Sequence, residues 1–447
     1  MIKIYDTMTR SLRDFVPLTE NVVNMYVCGP TVYNYIHIGN ARSAVAFDTI
    51  RRYFEYCGYT VNYISNFTDV DDKIIKAANE AGISTKELSD KFIAAFMEDT
   101  GQLGIKPATQ NPRVINYMDE IITFVSTLVD KGFAYVSEGD VYFRVAKSNN
   151  YAKLANKTLE DLEIGASGRT DAETERKENP LDFALWKAAK EGEVSWDSPW
   201  GPGRPGWHIE CSVMATEILG DTIDIHGGGA DLEFPHHTNE IAQSEAKTGK
   251  TFANYWMHNG FVNVDNEKMS KSLGNFVTVH DMLQTVDGQV LRFFLATQQY
   301  RKPINFTEKA IHDAEVNLKY LKNTHSLPLK EQVNQAELQT YLDAFQEAMD
   351  DDFNTANGVT VLFDMAKWIN SGNYDQTVKD AFEKMLQVFG IVFEEEVLDE
   401  DIEKLIEERQ AARANKDFAT ADRIRDELAA QGIKLLDTKE GVRWTRD

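Results

Sequence analysis

The alternation of apolar and polar positions predicts a strand–helix–strand unit near the amino terminus. Residues 22–28 predict a strand, and residues 41–56 predict a helix whose apolar positions recur about one turn apart. Residues 60–66 return as a second strand, so the unit implies a parallel sheet. Residues 222–226 predict a third strand that ends at a turn formed by glycines 227–229. Ligands of open parallel sheets bind beyond the carboxyl ends of the strands, so these ends are where we expect a site.

The chain changes character twice around this sheet region. Between the two sheet halves, residues 126–205 hold one strand-like stretch, 140–145, among turns and charges, which predicts an insertion. Periodic apolar positions over residues 308–393 predict a helical bundle. An acidic linker begins at residue 394, and residues 402–431 predict one charged helix followed by a strand-like end.

The net charge of -24 over 447 residues argues against non-specific binding to phosphate backbones. The excess is uneven, because residues 401–447 carry ten Lys/Arg and eleven Asp/Glu. Contact with RNA would therefore use local basic patches. Trp444, beside Arg443 and Arg446, offers a ring that an unpaired base could stack on. The alternative is that the helix cations of the tail only pair with acidic residues at helical spacing. These cations are Lys404, Arg409, Arg413, Lys416, Arg423 and Arg425.

The composition also restricts the setting of the protein. No stretch approaches about 18 consecutive apolar residues, and the first residues lack a basic-then-apolar export signal. We therefore expect a cytoplasmic protein with no membrane partner. The three cysteines, Cys28, Cys57 and Cys211, are too few for a disulfide framework, which leaves metal binding, catalysis or burial.

Two segments have the composition of phosphate-binding elements. Residues 37–40 (His-Ile-Gly-Asn) follow the first strand at the start of the first helix, where free N–H groups favour anions. Residues 268–272 (Lys-Met-Ser-Lys-Ser) place two lysines three apart in a loop that could close over phosphates. Taken singly, each segment is also explained by an ordinary polar turn or a solvated basic loop.

A third set has the composition of a zinc site. Pro235 suits the first position of a helix, so that His236 and Glu240 fall one turn apart. With Cys28 and Cys211 they make a candidate tetrad of thiolate, imidazole and carboxylate ligands, which fits zinc better than magnesium or calcium. Periodicity does not choose between His236 and His237, and burial is the alternative for each residue alone.

Taken together, these segments resemble the class I aminoacyl-tRNA synthetases, whose signatures are a HIGH-like element and a KMSKS element on a split nucleotide-binding fold. Within that class, the sequence is most similar to the cysteinyl-tRNA synthetases. Five segments carry this resemblance: residues 28–33 (CGPTVY), 206–212 (GWHIECS), 224–229 (DIHGGG), 234–237 (FPHH) and 268–272 (KMSKS).

The resemblance implies roles for individual residues. One zinc ion per chain would be ligated by Cys28, Cys211, His236 and Glu240. The amino-acid pocket would be lined by four further residues, with Trp207 as a wall and Asp231 as the partner of the substrate ammonium: Gly29, Thr68, Trp207 and Asp231.

The same resemblance implies that ATP and its Mg²⁺ are handled by the two signature elements. The catalytic residues would be His37, Asn40, Lys268 and Lys271, of which His37, Asn40 and Lys271 would hold the nucleotide. The sequence departs from the HIGH spelling at Asn40, which replaces the last histidine. An amide still donates a hydrogen bond to phosphate, so only the option of an imidazolium is lost.

The implied activity has two steps. L-cysteine would be activated with ATP to cysteinyl-adenylate and pyrophosphate, and the cysteine would pass to the 3′ end of tRNA(Cys). The zinc would bind the substrate thiolate and so discriminate against serine. The implied partners are tRNA(Cys), ATP and L-cysteine, and we expect a monomer.

The implied fold is α/β, with a split Rossmann-like parallel-sheet catalytic domain and an insertion, followed by an α-helical bundle and a small C-terminal domain. We place the segments as follows: 1–125 and 206–255, the two catalytic halves; 126–205, the insertion or connective peptide; 256–307, the KMSKS-bearing stem-contact region; 308–393, the bundle; and 394–447, the acidic linker and anticodon-binding domain.

Two alternatives remain open at this stage. A ligase of the same ancestry could pass activated cysteine to an amino sugar, although the full-length tail beyond Asp401 argues against this. A catalytically silent paralogue could bind RNA, although the intact KMSKS element and zinc tetrad argue against that.

Overall fold

The amino-terminal region forms the predicted strand–helix–strand unit. In the computed structural model, residues 1–166, 174–394, 400–439 and 441–446 are described. The first elements are β1 (Lys3–Asp6), β2 (Ser11–Asp14), β3 (Val22–Val27), α1 (Ile38–Tyr56) and β4 (Thr60–Ser65). Strands β3 and β4 pair in parallel along their full length, as predicted. Helix α1 begins at Ile38, three residues before the predicted start, because the His37 side chain caps its first turn.

Three helices lead into the insertion. They are α2 (Asp72–Ala81), α3 (Thr85–Gln102) and α4 (Met118–Asp130). The insertion contains β5 (Ala134–Ser137), β6 (Asp140–Phe143), α5 (Leu159–Ala166), β7 (Phe183–Ala188) and β8 (Gly203–Pro205). Its four strands form an antiparallel sheet in sequence order. The predicted start of the insertion at residue 126 falls within α4, eight residues before this sheet begins.

The second half of the parallel sheet follows. Its elements are α6 (Trp207–Leu219), β9 (Ile223–Gly229), α7 (Thr238–Thr248) and β10 (Ala253–Asn259). The strand order is β10-β9-β3-β4, and all three neighbouring pairs are parallel. Strands β3 and β9 therefore meet at the centre, where the chain continues to opposite sides of the sheet. Such a switch point opens a crevice at the carboxyl ends of the strands.

The prediction that glycines 227–229 form a turn is wrong, because β9 continues through them. The ladder with β10 extends to the pair Asn259↔Gly229. A Cβ atom at Gly227 would lie 2.3 Å from Cε1 of Phe47 on α1. Glycine is therefore required where α1 crosses β9. The strand tolerates this residue because β3 and β10 pair with it on both sides.

The remaining elements form a region after the sheet and a helical bundle. The first comprises β11 (Val262–Val264), β12 (Glu267–Lys268), α8 (Val279–Met282), α9 (Gly288–Ala296) and β13 (Ile304–Phe306). The bundle comprises α10 (Glu308–His325), α11 (Gln335–Asp350), α12 (Thr355–Asn370) and α13 (Gln376–Val388). One buried apolar cluster runs from the parallel sheet through α1 and α9 into this bundle. The helical reading of residues 308–393 is confirmed.

The carboxyl-terminal unit has its own small core. It consists of α14 (Glu400–Ala414), α15 (Phe418–Ala430), β14 (Ile433–Thr438) and β15 (Gly441–Arg446). The prediction of one helix over 402–431 is wrong, because Lys416 adopts a left-handed conformation with φ 60° and Asp417 caps a new helix. Most of the predicted acidic linker, residues 395–399, lies outside the described residues.

Two cations of this unit serve its structure. Arg409 makes two hydrogen bonds of 2.9 Å with the Asp437 carboxylate, and Arg413 lies 2.7 Å from the same group. Trp444 packs against the apolar core of the unit. The sequence pattern predicts these three side chains as candidates for contact with RNA. In the structure they are engaged in contacts within the protein.

A buried ion pair ties α1 to the bundle. The Arg292 guanidinium on α9 is fully buried and donates to Asp48 Oδ2 at 2.6 Å and to the Phe389 carbonyl at 2.8 Å. Burial alone would raise the pKa of Asp48, but Arg292 and Arg52 hold it below its usual value.

None of the helices in the described ranges is both long and apolar enough to cross a membrane.

We predict that Arg292→Met destabilises the protein by about 3 kcal/mol, because it leaves the buried Asp48 charge without its buried cation and paired only with Arg52 and the Lys106 N–H. The free energy of unfolding from urea denaturation measures this loss. Lys309→Met provides a matched control, since Lys309 pairs with Asp313 on an exposed helix surface and its loss should cost less than about 0.5 kcal/mol. Equal effects of the two substitutions would contradict the structural role of the buried pair.

Candidate functional site

The four predicted zinc ligands converge at the switch point of the parallel sheet. Cys28 directly follows β3, and Cys211 lies in the second turn of α6. His236 precedes α7, and Glu240 lies in its first turn. Their ligand atoms all lie within 4.8 Å of one another. Residues up to 212 positions apart in the sequence therefore form one cluster.

Two distances within this cluster match those of a tetrahedral zinc site. The two sulfurs lie 3.7 Å apart, and Cys28 Sγ lies 3.5 Å from Glu240 Oε1. Ligands at ordinary zinc distances and tetrahedral angles would be separated by about 3.8 Å for two sulfurs and about 3.6 Å for sulfur and oxygen. The donor set is also one that zinc accepts, so the residues fit the metal.

One buried nitrogen in the cluster lacks a hydrogen bond. His236 Nε2 lies 2.9 Å from Glu240 Oε1, but within the described residues no acceptor meets it in hydrogen-bond geometry. Its other nitrogen, Nδ1, lies 2.9 Å from His208 Nδ1. A metal ion bound among the carboxylate and the two sulfurs would provide the partner that this buried nitrogen lacks.

A second histidine orients the carboxylate. His226 Nε2 lies 2.5 Å from Glu240 Oε2, which leaves Oε1 directed toward the cluster. The sequence segments that carry the resemblance include His208 and His226, but no role was predicted for either. Both hold a ligand from behind, and such supporting bonds depend on tertiary distances that sequence spacing does not give.

The four ligands differ in protonation state. Burial acts to lower the pKa of His236, but Glu240 and Cys211 raise it to about 10, so this imidazole loses a proton when a metal binds. The hydrogen bond from Cys28 lowers the pKa of Cys211 to about 6, although burial opposes this. Burial raises the pKa of the Cys28 thiol well above its usual value. Burial also acts to raise the pKa of Glu240, but His226 and His236 lower it to about 2. One thiolate and one carboxylate are therefore present before any cation binds.

An alternative set of donors shares two of these residues. The ligand atoms of Cys28 and Glu240 also lie within 4.8 Å of those of His226 and His237. However, His226 is hydrogen-bonded to Glu240 Oε2, and His237 Nδ1 lies 2.8 Å from His258 Nε2. Because Cys28 and Glu240 belong to both sets, the two cannot be filled independently. The set with two sulfurs is the better zinc site.

A cavity of about 680 Å³ opens in front of the cluster. Cys28 and Cys211 line it, whereas His236 and Glu240 are buried behind them. The four residues predicted for the amino-acid pocket also line this cavity: Gly29, Thr68, Trp207 and Asp231. The structure therefore brings the predicted metal cluster and the predicted pocket to one place.

The contacts of these pocket residues are specific. The Trp207 ring stacks on His236 with 4.0 Å between ring centroids, and 40% of the side chain remains exposed. Asn66, which the sequence analysis missed, accepts from the Gly29 N–H at 3.0 Å and donates to Thr68 Oγ1 at 3.2 Å. Asn66 follows β4 at a strand end, and this position is the signal that could have identified it.

His37 and Asn40 form a reciprocal cap at the start of α1. The Asn40 N–H donates to His37 Nδ1, and the His37 N–H donates to Asn40 Oδ1, both at 3.2 Å. This fixes a neutral tautomer in which His37 Nε2 carries the proton, and it leaves the Asn40 NH₂ group to donate elsewhere. Burial, with the nearby charges of Lys271 and Lys73, lowers the pKa of His37 to about 4.

The loop carrying Lys268 and Lys271 is attached to the same helix start. The Ile38 N–H donates to the Val277 carbonyl at 3.0 Å, and the Val279 N–H donates to the Ile36 carbonyl at 2.9 Å. Both lysines are exposed and line the cavity with His37 and Asn40. All four predicted phosphate-binding residues therefore face one space.

Comparison with known protein families covers almost the whole chain. The model for the class I (C) tRNA synthetase catalytic domain matches residues 14–316. A DALR domain matches residues 344–394, and a cysteinyl-tRNA ligase anticodon binding domain matches residues 395–444.

Curated relatives match over their full length. A cysteine–tRNA ligase of Streptococcus thermophilus (strain CNRZ 1066) is 95% identical over 447 residues, which is 100% of both chains. One from Streptococcus agalactiae serotype III (strain NEM316) is 82% identical, again over 100% of both chains. Among solved structures, a Mycobacterium tuberculosis methionyl-tRNA synthetase in complex with methionyl-adenylate aligns with a TM-score of 0.60 at 15% identity, covering 82% of this chain and 89% of the other. This last likeness supports the fold alone.

We predict that His37 stays neutral throughout the range from pH 5 to pH 8, since its pKa in the folded protein is about 4. An unfolded chain takes up this proton near pH 6.5, so the folded state loses stability as the pH falls from about 6.5 through about 4. Histidine NMR resonances measured against pH test this, with His37→Gln used to assign the signal. A titration midpoint between pH 6 and pH 7 would contradict the prediction.

Proposed function

The chain belongs to the cysteine–tRNA ligase family of class I synthetases, and we propose that a zinc ion held by Cys28, Cys211, His236 and Glu240 selects cysteine in its reaction. The reaction joins cysteine to tRNA(Cys) in two steps and consumes ATP. The observation that supports the zinc proposal is the convergence of four suitable ligand atoms within 4.8 Å at the floor of the cavity.

The selection problem is the difference between cysteine and serine, which differ by sulfur in place of oxygen. A pocket that distinguishes near-isosteres by shape alone achieves only about a hundredfold preference. A zinc ion held by Cys28, Cys211, His236 and Glu240 would supply a soft Lewis acid that bonds the substrate thiolate and lowers its pKa from about 8.5. The hydroxyl of serine is a much poorer ligand for such a metal. Cys28 and Cys211 line the cavity, so the open side of the cluster faces the substrate.

The other pocket residues would orient the amino acid. The carboxylate of Asp231 lies on the cavity wall and would receive the substrate ammonium. Trp207 would close one side of the pocket, because its ring is fixed by stacking on His236. Thr68 and Gly29 are held in place by Asn66 and would shape the space near the sulfur.

The first chemical step is attack of the cysteine carboxylate on the α-phosphate of ATP, with pyrophosphate leaving. His37 and Asn40 would donate neutral hydrogen bonds to the phosphates, and Lys268 and Lys271 would neutralise the charge that develops. Mg²⁺ would enter with ATP and neutralise its phosphate oxygens. The protein contributes position and charge, and no side chain acts as a nucleophile.

The transfer step requires tRNA to reach the cavity and to be recognised elsewhere. We assign contact with the acceptor stem to residues 256–307 and anticodon recognition to residues 394–447. The match of residues 395–444 to an anticodon binding domain supports tRNA rather than an amino sugar as the acceptor. The chain is proposed to act as a monomer.

We predict that Cys211→Ser loses bound zinc and cysteine activation together, because an alcohol is a poor zinc ligand and does not supply the thiolate. Metal content per chain and cysteine-dependent ATP–pyrophosphate exchange measure the two effects. Cys57→Ser is the matched control, since Cys57 is exposed at the end of α1; it should keep one zinc per chain and full exchange. Full cysteine activation by zinc-free protein would disprove the selective role of the metal.

We predict that truncation after residue 400 leaves cysteine-dependent exchange nearly unchanged but sharply weakens aminoacylation. The zinc cluster and both signature elements remain, and the removed unit has a separate core. Aminoacylation measured against tRNA concentration should show a higher KM. If the shortened protein charges tRNA as well as the intact chain, residues 401–447 do not recognise the anticodon.

A further inference from the structure

Lys73 lies beside the proposed phosphate-binding elements but was not among the predicted site residues. It occupies the second position of α2 and lines the same cavity as His37 and Lys271. The start of this helix is held near the site by the main chain: the Val32 N–H donates to the Thr68 carbonyl, and the Thr68 N–H donates to the Pro30 carbonyl, both at 3.1 Å.

Two lysines contact one aromatic ring at this place. The Lys73 Nζ lies 5.4 Å from the centroid of the Tyr33 ring, and the Lys271 Nζ lies 5.6 Å from the same centroid. Lys73 and Lys271 come from segments about 200 residues apart, yet both ammonium groups are directed to one ring at the cavity wall. Such contacts are weak at exposed sites, so they position the lysines without holding them against a stronger ligand.

The carboxylates nearest to Lys73 in the sequence are engaged elsewhere. Asp71 caps the helix by accepting the Lys73 N–H at 2.8 Å, and Asp72 pairs with Arg204. Across the described parts of the chain, no carboxylate lies within ion-pair distance of the Lys73 or Lys271 ammonium. Two unpaired cations facing one cavity in a chain of net charge -24 indicate an anionic ligand.

We infer that Lys73 is a further phosphate-binding residue of this site and that, with Lys271, it holds the phosphates of ATP that leave as pyrophosphate. The inference rests on the proposed function and adds a third lysine to the two in the KMSKS loop. Lys73 and Lys271 line the same cavity as His37 and Asn40, where the proposed triphosphate would bind. ATP is therefore favoured over the phosphates of the tRNA 3′ end.

The test is ATP–pyrophosphate exchange with cysteine. Lys73→Met should lower the exchange rate roughly 10- to 100-fold, as expected when one charge-stabilising donor is removed, while the KM for cysteine changes less than about twofold. Lys73→Arg should retain most of the rate because it keeps the charge. Lys76→Met is the matched control: Lys76 lies one turn along α2, is exposed and pairs with Glu80, so its loss should leave exchange unchanged.

A second measurement separates ATP from tRNA as the source of the phosphate. Single-turnover transfer of cysteine from preformed adenylate to tRNA should be unchanged in Lys73→Met. Normal exchange with slow transfer would overturn the inference and move the residue to the tRNA 3′ end, and normal rates in both assays would overturn it altogether. If the wild-type protein shows no cysteine-dependent exchange, the proposed function itself fails, and this outcome is distinct from a defect confined to Lys73→Met.

Discussion

The parallel pairing of β3 with β9 is the constraint on which the site depends. It aligns Met25, Tyr26 and Val27 with Ile225, His226 and Gly227, two segments separated by 200 residues. The pairing places Cys28 at one strand end beside the chain that leads to His236 and Glu240. Gly227 lets α1 pack directly on β9, because a Cβ atom there would meet the Phe47 ring. The proposed metal cluster, the cavity and the proposed phosphate-binding start of α1 therefore meet at one place in the fold.

The buried histidines explain how such a polar cluster is tolerated inside the protein. His226 and His208 each contact a ligand from the side away from the sulfurs. The carboxylate of Glu240 is therefore charged and partnered even though it is fully buried. Removing a partner from such a group costs more than the contact itself contributes, because the remaining charge stays buried. The arrangement holds the ligand atoms at metal-binding distances rather than at the spacing of a hydrophobic core.

Local pattern was sufficient to predict the βαβ unit, the α/β fold class and the helical bundle. It failed where tertiary contact overrides local preference. The pattern predicts a turn at the glycines after His226, whereas pairing with β10 extends β9 through Gly229. It also failed at Lys416. The pattern predicts one continuous helix there, but the left-handed conformation of Lys416 divides it into α14 and α15. The zinc tetrad required the family resemblance, because spacing left His236 and His237 equivalent. Asn66 was missed because its neighbours in space are distant in sequence.

The distribution of charge explains how an acidic chain can bind polyanions. A charged histidine buried at the start of α1 would lose its hydration, which is unfavourable. Burial therefore lowers the pKa of His37 to about 4, and the imidazole is neutral near pH 7. The cations are instead exposed lysines that remain hydrated until an anion enters. Tyr33 contacts two of them, Lys73 and Lys271, and such ring contacts are weak at exposed sites. Long-range repulsion from the net charge of -24 is screened over about 10 Å at ordinary salt, so these local groups determine binding once the ligand reaches the cavity.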